Sequence, residues 1–253
     1  MPLLILYVYL ANQFAFALLI VLVSVLALHE FLRMSLPQER LWERSLALVV
    51  GGGLTLAVSF ASPQGTLAAL VLSCLLFATW FLFRFQDIKT VVLHFSLVLL
   101  GLLYIPVLLG HMALLHGLPH GKAWIFFIMF LVMTSDSAAY FSGIRFGKHK
   151  LYPAISPNKS IEGAIGGLFG GVLAALIVRS CFFPALDLLD CVALGFALGA
   201  ISQIGDLFES MLKRSFEVKD SGGLIPGHGG LLDRLDSLLF AYPLAYYYAL
   251  YLF

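Results

Sequence analysis

Eight stretches of this 253-residue chain are apolar for long enough to cross a bilayer as helices, which takes about 20 residues. They lie near 3–31, 46–62, 66–84, 90–116, 123–143, 161–183, 187–209 and 233–253. Backbone amides facing lipid must be satisfied within their own segment, so each run is expected to be helical. Composition supports the bilayer as solvent: 61% of residues are hydrophobic, 11% are charged, and the mean hydropathy is +0.98. A soluble domain is nearer a quarter charged. The expected fold is therefore an all-α polytopic integral membrane protein with about eight transmembrane helices. Nine is the alternative, because 3–31 is long and contains Asn12 and Gln13. That run reads either as one tilted helix or as a short helix followed by a span.

Loop charge tests the layout. With 3–31 as one crossing, thirteen of the 15 Lys and Arg fall on one side, leaving Lys122 and Arg179 on the other. Such an excess marks the cytoplasmic face. The two polar segments 143–160 and 210–232 are thus expected to be cytoplasmic, in a multi-pass protein of the inner (cytoplasmic) membrane. The start of the chain lacks a basic region and a cleavage site, so the first run reads as a retained span. A net charge of +1 and the lack of a basic tail give no footing for nucleic acid. Cys74, Cys181 and Cys191 show no metal-ligand spacing and read as small buried thiols, a Cys181–Cys191 disulfide being the alternative. Gly163, Gly167 and Gly171 recur every four residues, with Gly166 and Gly170 beside them. This is a close-packing pattern for membrane helices. A phosphate loop would need a GKS or GKT to follow, and none does. No repeat or low-complexity linker divides the chain. One membrane domain is expected over 1–253, with N-terminal transmembrane helices over 1–125 and a candidate catalytic transmembrane region with cytoplasmic loops over 126–253.

The anomaly in this apolar chain is the segment 206–236, DLFESMLKRSFEVKDSGGLIPGHGGLLDRLD. It holds ten charged residues, against 15 basic and 14 acidic residues in the whole protein. Ionisable groups beside spans are costly unless paired, hydrated or bound to a ligand. Asp206, Ser210, Lys213 and Glu217 share a face if the helix continues. Glu209 and Glu217 are explained well enough by a solvated helix end. Asp206, at the bilayer boundary, calls for a cation. Gly222, Gly223, Pro226, Gly227, Gly229 and Gly230 make the next segment a loop whose amides suit phosphate oxygens, a plain flexible connector being the alternative. His228 has freedom to reach a ligand there, or is a loop histidine with no role. Asp233 and Asp236, three apart, would share one helical face. Two carboxylates suit Mg²⁺, which leaves positions for water and phosphate; helix capping is the alternative, but it would not require two Asp together with a distant Asp206.

A second cluster comprises Asp136 within an apolar run, Tyr140, Arg145, Lys148, Lys150 and the run SPNKSIEG. Ser156, Asn158, Lys159 and Ser160 precede a span start, where helix amides and a cation favour phosphate. A positively charged loop with a helix cap is the competing account. Glu162 reads as a dipole partner or a buried polar contact. His111, His116 and His120 form no compact metal set. His29, Glu30 and Arg33 close the first span and read as interfacial.

The run Ser210-Met-Leu-Lys213-Arg214, Lys219-Asp220, then Pro226-Gly-His228-Gly229-Gly230-Leu-Leu-Asp233-Arg234-Leu-Asp236 resembles the signature of the phosphatidate cytidylyltransferases, or CDP-diacylglycerol synthases. Asp136, Ala139-Tyr140, Gly143, Arg145, Gly147 and SPNKS-x-EG are also similar to that family, with Ser160 where Thr is commoner. The likeness covers roughly 130–245. It implies cytidylyl transfer from CTP to phosphatidate, giving CDP-diacylglycerol and pyrophosphate, with Mg²⁺, and a second cation as an extension, in a cytoplasm-facing polar active site. Carried over by motif position, it assigns Asp206, Asp233 and Asp236 to metal. Lys213, Arg214, Lys219 and Arg234 go to phosphates, with Asp220 and His228 beside them. Ser156, Asn158, Lys159, Ser160, Arg145, Gly229 and Gly230 go to substrate. CTP, phosphatidate, membrane lipid and a second copy of the chain are the expected partners. A CTP-dependent polyprenol or lipid-alcohol kinase, or a lipid transporter, is the rival reading.

Overall fold

The computed structural model describes residues 2–84, 87–223 and 229–253, with side chains from residue 5 onward. The described residues form helices and one short hairpin, and the protein is an all-α polytopic membrane protein. Seven helical runs among the described residues have the length and composition to cross a membrane. They are α2 (Gln13–Ser35), α3 (Leu41–Phe60), α4 (Pro63–Arg84), the joined α5 and α6 (Val91–His116), α7 (Gly121–Phe146), α8 (Ile161–Cys181) and α9 (Leu188–Ser215). These correspond to the first seven apolar runs of the sequence. The eighth run becomes α10 (Asp236–Tyr251), whose 16 residues extend about 24 Å, against a hydrocarbon core of about 30 Å.

The first run, 3–31, forms two helices. α1 (Pro2–Leu10) stops, and Asn12 caps α2 by accepting the Ala15 amide on its side-chain oxygen at 2.8 Å. An Asn side chain that satisfies an orphan amide favours a helix start over continuation. A second irregularity lies between α5 (Val91–Leu102) and α6 (Leu108–His116), where Leu103–Val107 forms a π turn around Pro106. Proline has no amide hydrogen to give and crowds the preceding turn, and the wider turn accommodates both.

By Cα proximity the chain forms two compact units, Met1–Leu114 with Asp220–Asp233, and Leu115–Lys219 with Arg234–Phe253. In the first, α2 packs on α3, and Thr55 Oγ1 donates to Ser24 Oγ between them at 2.9 Å. In the second, α8 packs between α7 and α9, and α9 packs on α10. The glycine ladder of α8 is what permits this. A Cβ on Gly171 would lie 2.6 Å from the Gly195 carbonyl oxygen of α9, and one on Gly166 would lie 2.4 Å from Ser142 Cβ of α7. These glycines are helical, as the packing reading requires, and form no phosphate loop. Gln203 Nε2 donates to the Ala164 carbonyl at 3.1 Å, and Ser135 Oγ donates to that of Gly167 at 3.0 Å. Apolar side chains such as Phe169, Leu173 and Leu189 point outward, which suits contact with lipid.

Candidate active site

In the second unit, the chain leaving α7 turns back as an antiparallel hairpin, β1 (Lys150–Tyr152) and β2 (Ser156–Ser160), before entering α8. Three sequence choices hold this turn. Ser160 caps α8 through its hydroxyl, which accepts the Gly163 amide at 3.1 Å. The Glu162 carboxylate reaches back to accept the Lys148 and His149 amides and lies 2.6 Å from His149 Nδ1. β2 then carries Lys159 to α9, where its Nζ lies 2.5 Å from Asp206 Oδ2. The SPNKS run is thus a strand, and its last serine is committed to a cap.

Asp206 accepts a long hydrogen bond from Ser210 Oγ, 3.4 Å away on the next turn of α9. Asp136 of α7 and Asp236, the first residue of α10, lie close enough for their charges to interact with that of Asp206. Three carboxylates from three helices therefore share one neighbourhood, with Lys159 paired to one of them. Asp236 Oδ1 also accepts the Ser237 amide at 2.6 Å. Carboxylate oxygens are hard donors, the kind Mg²⁺ takes one or two of while keeping water and phosphate in its remaining positions. Among the described residues no three His, Cys, Asp or Glu side chains close into a ready-made cage. In donor chemistry, though not as a closed cage, Asp206 and Asp236 suit a hard cation that keeps most of its shell for other oxygens.

Further along α9, Lys213 Nζ lies 2.5 Å from Glu209 Oε2. The expectation that Glu209 is solvated is corrected here, because its side chain is 0% exposed. The i, i+4 spacing that looks like a surface pair on the sequence faces inward instead. Glu217 stands past the end of α9 at a φ of 58° and is exposed, so it does not continue the face of Asp206, Ser210 and Lys213. Arg214 Nη1 donates to the Val218 carbonyl at 3.4 Å. Arg145, Asn158 and Lys219 are exposed, and Ser156 is half-buried.

The signature segment 220–233 belongs to the first unit. Asp233 is its clasp: Oδ2 accepts the Ser221 amide at 3.0 Å, the Ser221 hydroxyl at 3.0 Å and the Gly230 amide at 2.8 Å. Gly229 has a φ of 81°, a left-handed conformation that favours glycine. Asp220 and Arg234 are exposed at the two ends of the segment, while His228 lies outside the described residues. The expectation that Asp233 and Asp236 share one helical face does not hold. Asp233 lies in a 3-10 turn, Leu232–Arg234, and α10 begins only at Asp236. Sequence reasoning missed two participants. Ser221 supplies the clasp's hydroxyl, and Glu30, assigned to the interface, is only 2% exposed and accepts the Leu232 amide at 2.9 Å. A carboxylate inside an apolar run is the signal that singled out Asp136, and it applied equally to Glu30.

Long apolar helices in series, with carboxylates and a lysine gathered where three helices meet, define a polytopic membrane protein with a polar cluster. More narrowly, the chain belongs to the Cytidylyltransferase family, whose sequence profile matches residues 1–252. It is 42% identical over 128 residues to the phosphatidate cytidylyltransferase of Bacillus subtilis (strain 168), covering 51% of this chain and 48% of that protein. Against the Haemophilus influenzae phosphatidate cytidylyltransferase it is 46% identical over 137 residues, covering 53% and 48%. Against that of Staphylococcus aureus (strain COL) it is 44% identical over 138 residues, covering 54% and 52%. The chain thus spans about half the length of the curated relatives it matches.

Proposed function

We propose that the protein transfers the cytidylyl group of CTP to phosphatidate, forming CDP-diacylglycerol and releasing pyrophosphate. The observation that carries the reading is the Lys159–Asp206 contact at 2.5 Å, with the charges of Asp136 and Asp236 interacting with that of Asp206, on a chain of the Cytidylyltransferase family. Three relatives bearing the name phosphatidate cytidylyltransferase support the choice of substrates.

A phosphatidate phosphate oxygen attacks the α-phosphorus of CTP in line. A new P–O bond forms as the bond to the β-phosphate breaks, and pyrophosphate leaves. Two anions must approach, so neutralising charge is the main task of the site. By motif position, Lys159, Lys213, Arg214, Lys219 and Arg234 are assigned to phosphate oxygens, and Arg145, Ser156, Asn158, Gly229 and Gly230 to substrate. Asp206 and Asp236 are assigned to Mg²⁺, and Asp233 joins them on its motif position alone. When bound, the ion neutralises phosphate charge and polarises the reacting phosphoryl group. The attacking phosphate is ionised at neutral pH, so no general base is required, and His228 is assigned to phosphate contact. The excess of Lys and Arg on one side supports a cytoplasmic site, where CTP is available.

The test uses purified protein in detergent with Mg²⁺ and CTP, supplied in parallel with phosphatidate or with a polyprenol. Pyrophosphate released in step with CDP-diacylglycerol supports the proposal. Release of CDP with a phosphorylated lipid alcohol would make the protein a kinase, and no nucleotide turnover with lipid movement in vesicles would make it a transporter.

A further inference from the structure

We propose that Glu30, in α2 and outside the signature, is a positioning residue that holds together the two described ends of the signature segment, 220–223 and 229–233. The inference rests on the proposed cytidylyl transfer for its consequence in activity, but not for its structural content. Glu30 Oε2 accepts the Leu232 amide at 2.9 Å and lies 3.3 Å from Ser221 Oγ. That same hydroxyl lies 3.0 Å from Asp233 Oδ2. One hydroxyl hydrogen thus serves two carboxyl groups, one from α2 and one from the clasp, and Ser221 links them.

The glycines of the motif follow from this contact. A Cβ on Gly222 would lie 2.3 Å from Glu30 Oε1, and one on Gly230 would lie 2.7 Å from Glu30 Oε2 and 2.1 Å from Ser221 Oγ. Both ends of the loop therefore close directly over the Glu30 carboxyl, and neither has room for a side chain. Among the described residues Oε1 has no hydrogen-bond partner, so a glutamine with its amide nitrogen in that place loses none of these contacts. The residue's value to the segment is as a buried acceptor. Without it, the Leu232 amide and Ser221 lose a partner that water cannot readily replace.

The experiment compares Glu30→Ala, Glu30→Gln, Gly222→Ala and the double variant Glu30→Ala/Gly222→Ala. Hydrogen exchange is read on the peptide spanning 229–235, with kcat and the KM for CTP measured alongside. Glu30→Ala is expected to speed exchange of that peptide about tenfold, the equivalent of about 1.4 kcal/mol, and to lower kcat by at least as much. Glu30→Gln is expected to stay within about threefold of the parent in both. Gly222→Ala should reproduce the Glu30→Ala defect, because the new methyl displaces the carboxyl. In the double variant the methyl occupies the space the carboxyl vacated, so that variant should be no worse than Glu30→Ala alone. Unchanged exchange in Glu30→Ala, or additive defects in the double variant, would overturn the proposal. Should Glu30→Ala fail to fold, Glu30→Gln and Gly222→Ala decide it: a damaged glutamine variant or an unaffected Gly222→Ala refutes the assignment. A parent protein with no cytidylyl transfer would end the functional reading, while the exchange data would still judge Glu30.

Discussion

Replacing Lys159 by Met separates the structural worth of the Lys159–Asp206 pair from its worth in catalysis. The two side chains are 29% and 31% exposed, so water and salt screen their attraction, and the pair contributes about 1 kcal/mol to stability. For a chain of this size that is a fall in Tm of about 2–4 °C. If Lys159 holds a phosphate as charge redistributes, its loss should cost much more, about 100-fold in kcat, or close to 3 kcal/mol. The metal dependence should move the other way. Asp206 loses the cation now 2.5 Å from it, so the Mg²⁺ concentration for half-maximal rate should fall, by about fivefold for 1 kcal/mol. The assay is pyrophosphate release from CTP and phosphatidate across a Mg²⁺ series, with thermal unfolding in the same detergent. A kcat within threefold of the parent would refute the role of Lys159. A rise in half-saturating Mg²⁺ would refute the competition between lysine and ion for Asp206.

Glu209→Ala should destabilise the protein by about 3–5 kcal/mol, because it breaks the ion pair between Lys213 and a fully buried carboxylate. A Glu209→Met/Lys213→Met double variant should recover most of the unfolding temperature while losing activity, and a double variant as unstable as Glu209→Ala would contradict that assignment. Gly171→Ala pushes a methyl onto the Gly195 carbonyl of α9 and should cost about 1–3 kcal/mol by thermal unfolding. Gly53→Ala, which meets nothing within 4 Å, is the control and should be neutral or stabilising by up to about 1 kcal/mol.

Much of this architecture is legible in the sequence because apolar length and glycine spacing act locally. The α8 ladder of Gly163, Gly167 and Gly171 reads directly as close helix packing, and it is packed that way against α7 and α9. Asn12 marks the break in the first run, but only the capping geometry decides between one helix and two. The site is less legible because its contacts join distant positions. Lys159 and Asp206 are both conspicuous, yet nothing in their spacing says that a hairpin brings them together. Glu209 and Lys213 show the opposite problem. An i, i+4 acid–base pair is the mark of a solvated face, and here the packing of the unit turns that face inward. Asp233 and Asp236 mislead for a local reason, since Leu235 separates a 3-10 turn from α10 and the three-residue spacing loses its helical meaning. Glu30 was obscured by its neighbours His29 and Arg33, which make the end of α2 look like an ordinary membrane interface.

The central claim, that CTP gives up its α-phosphorus to a lipid phosphate, is tested most directly by two parallel reactions. Purified protein, Mg²⁺ and phosphatidate are supplied with CTP labelled either at the α- or at the γ-phosphate, and the lipid fraction is counted. Cytidylyl transfer predicts label in lipid from α-labelled CTP alone, with the γ-label recovered in pyrophosphate. Lipid labelled from γ-labelled CTP alone, or from neither, would contradict the account.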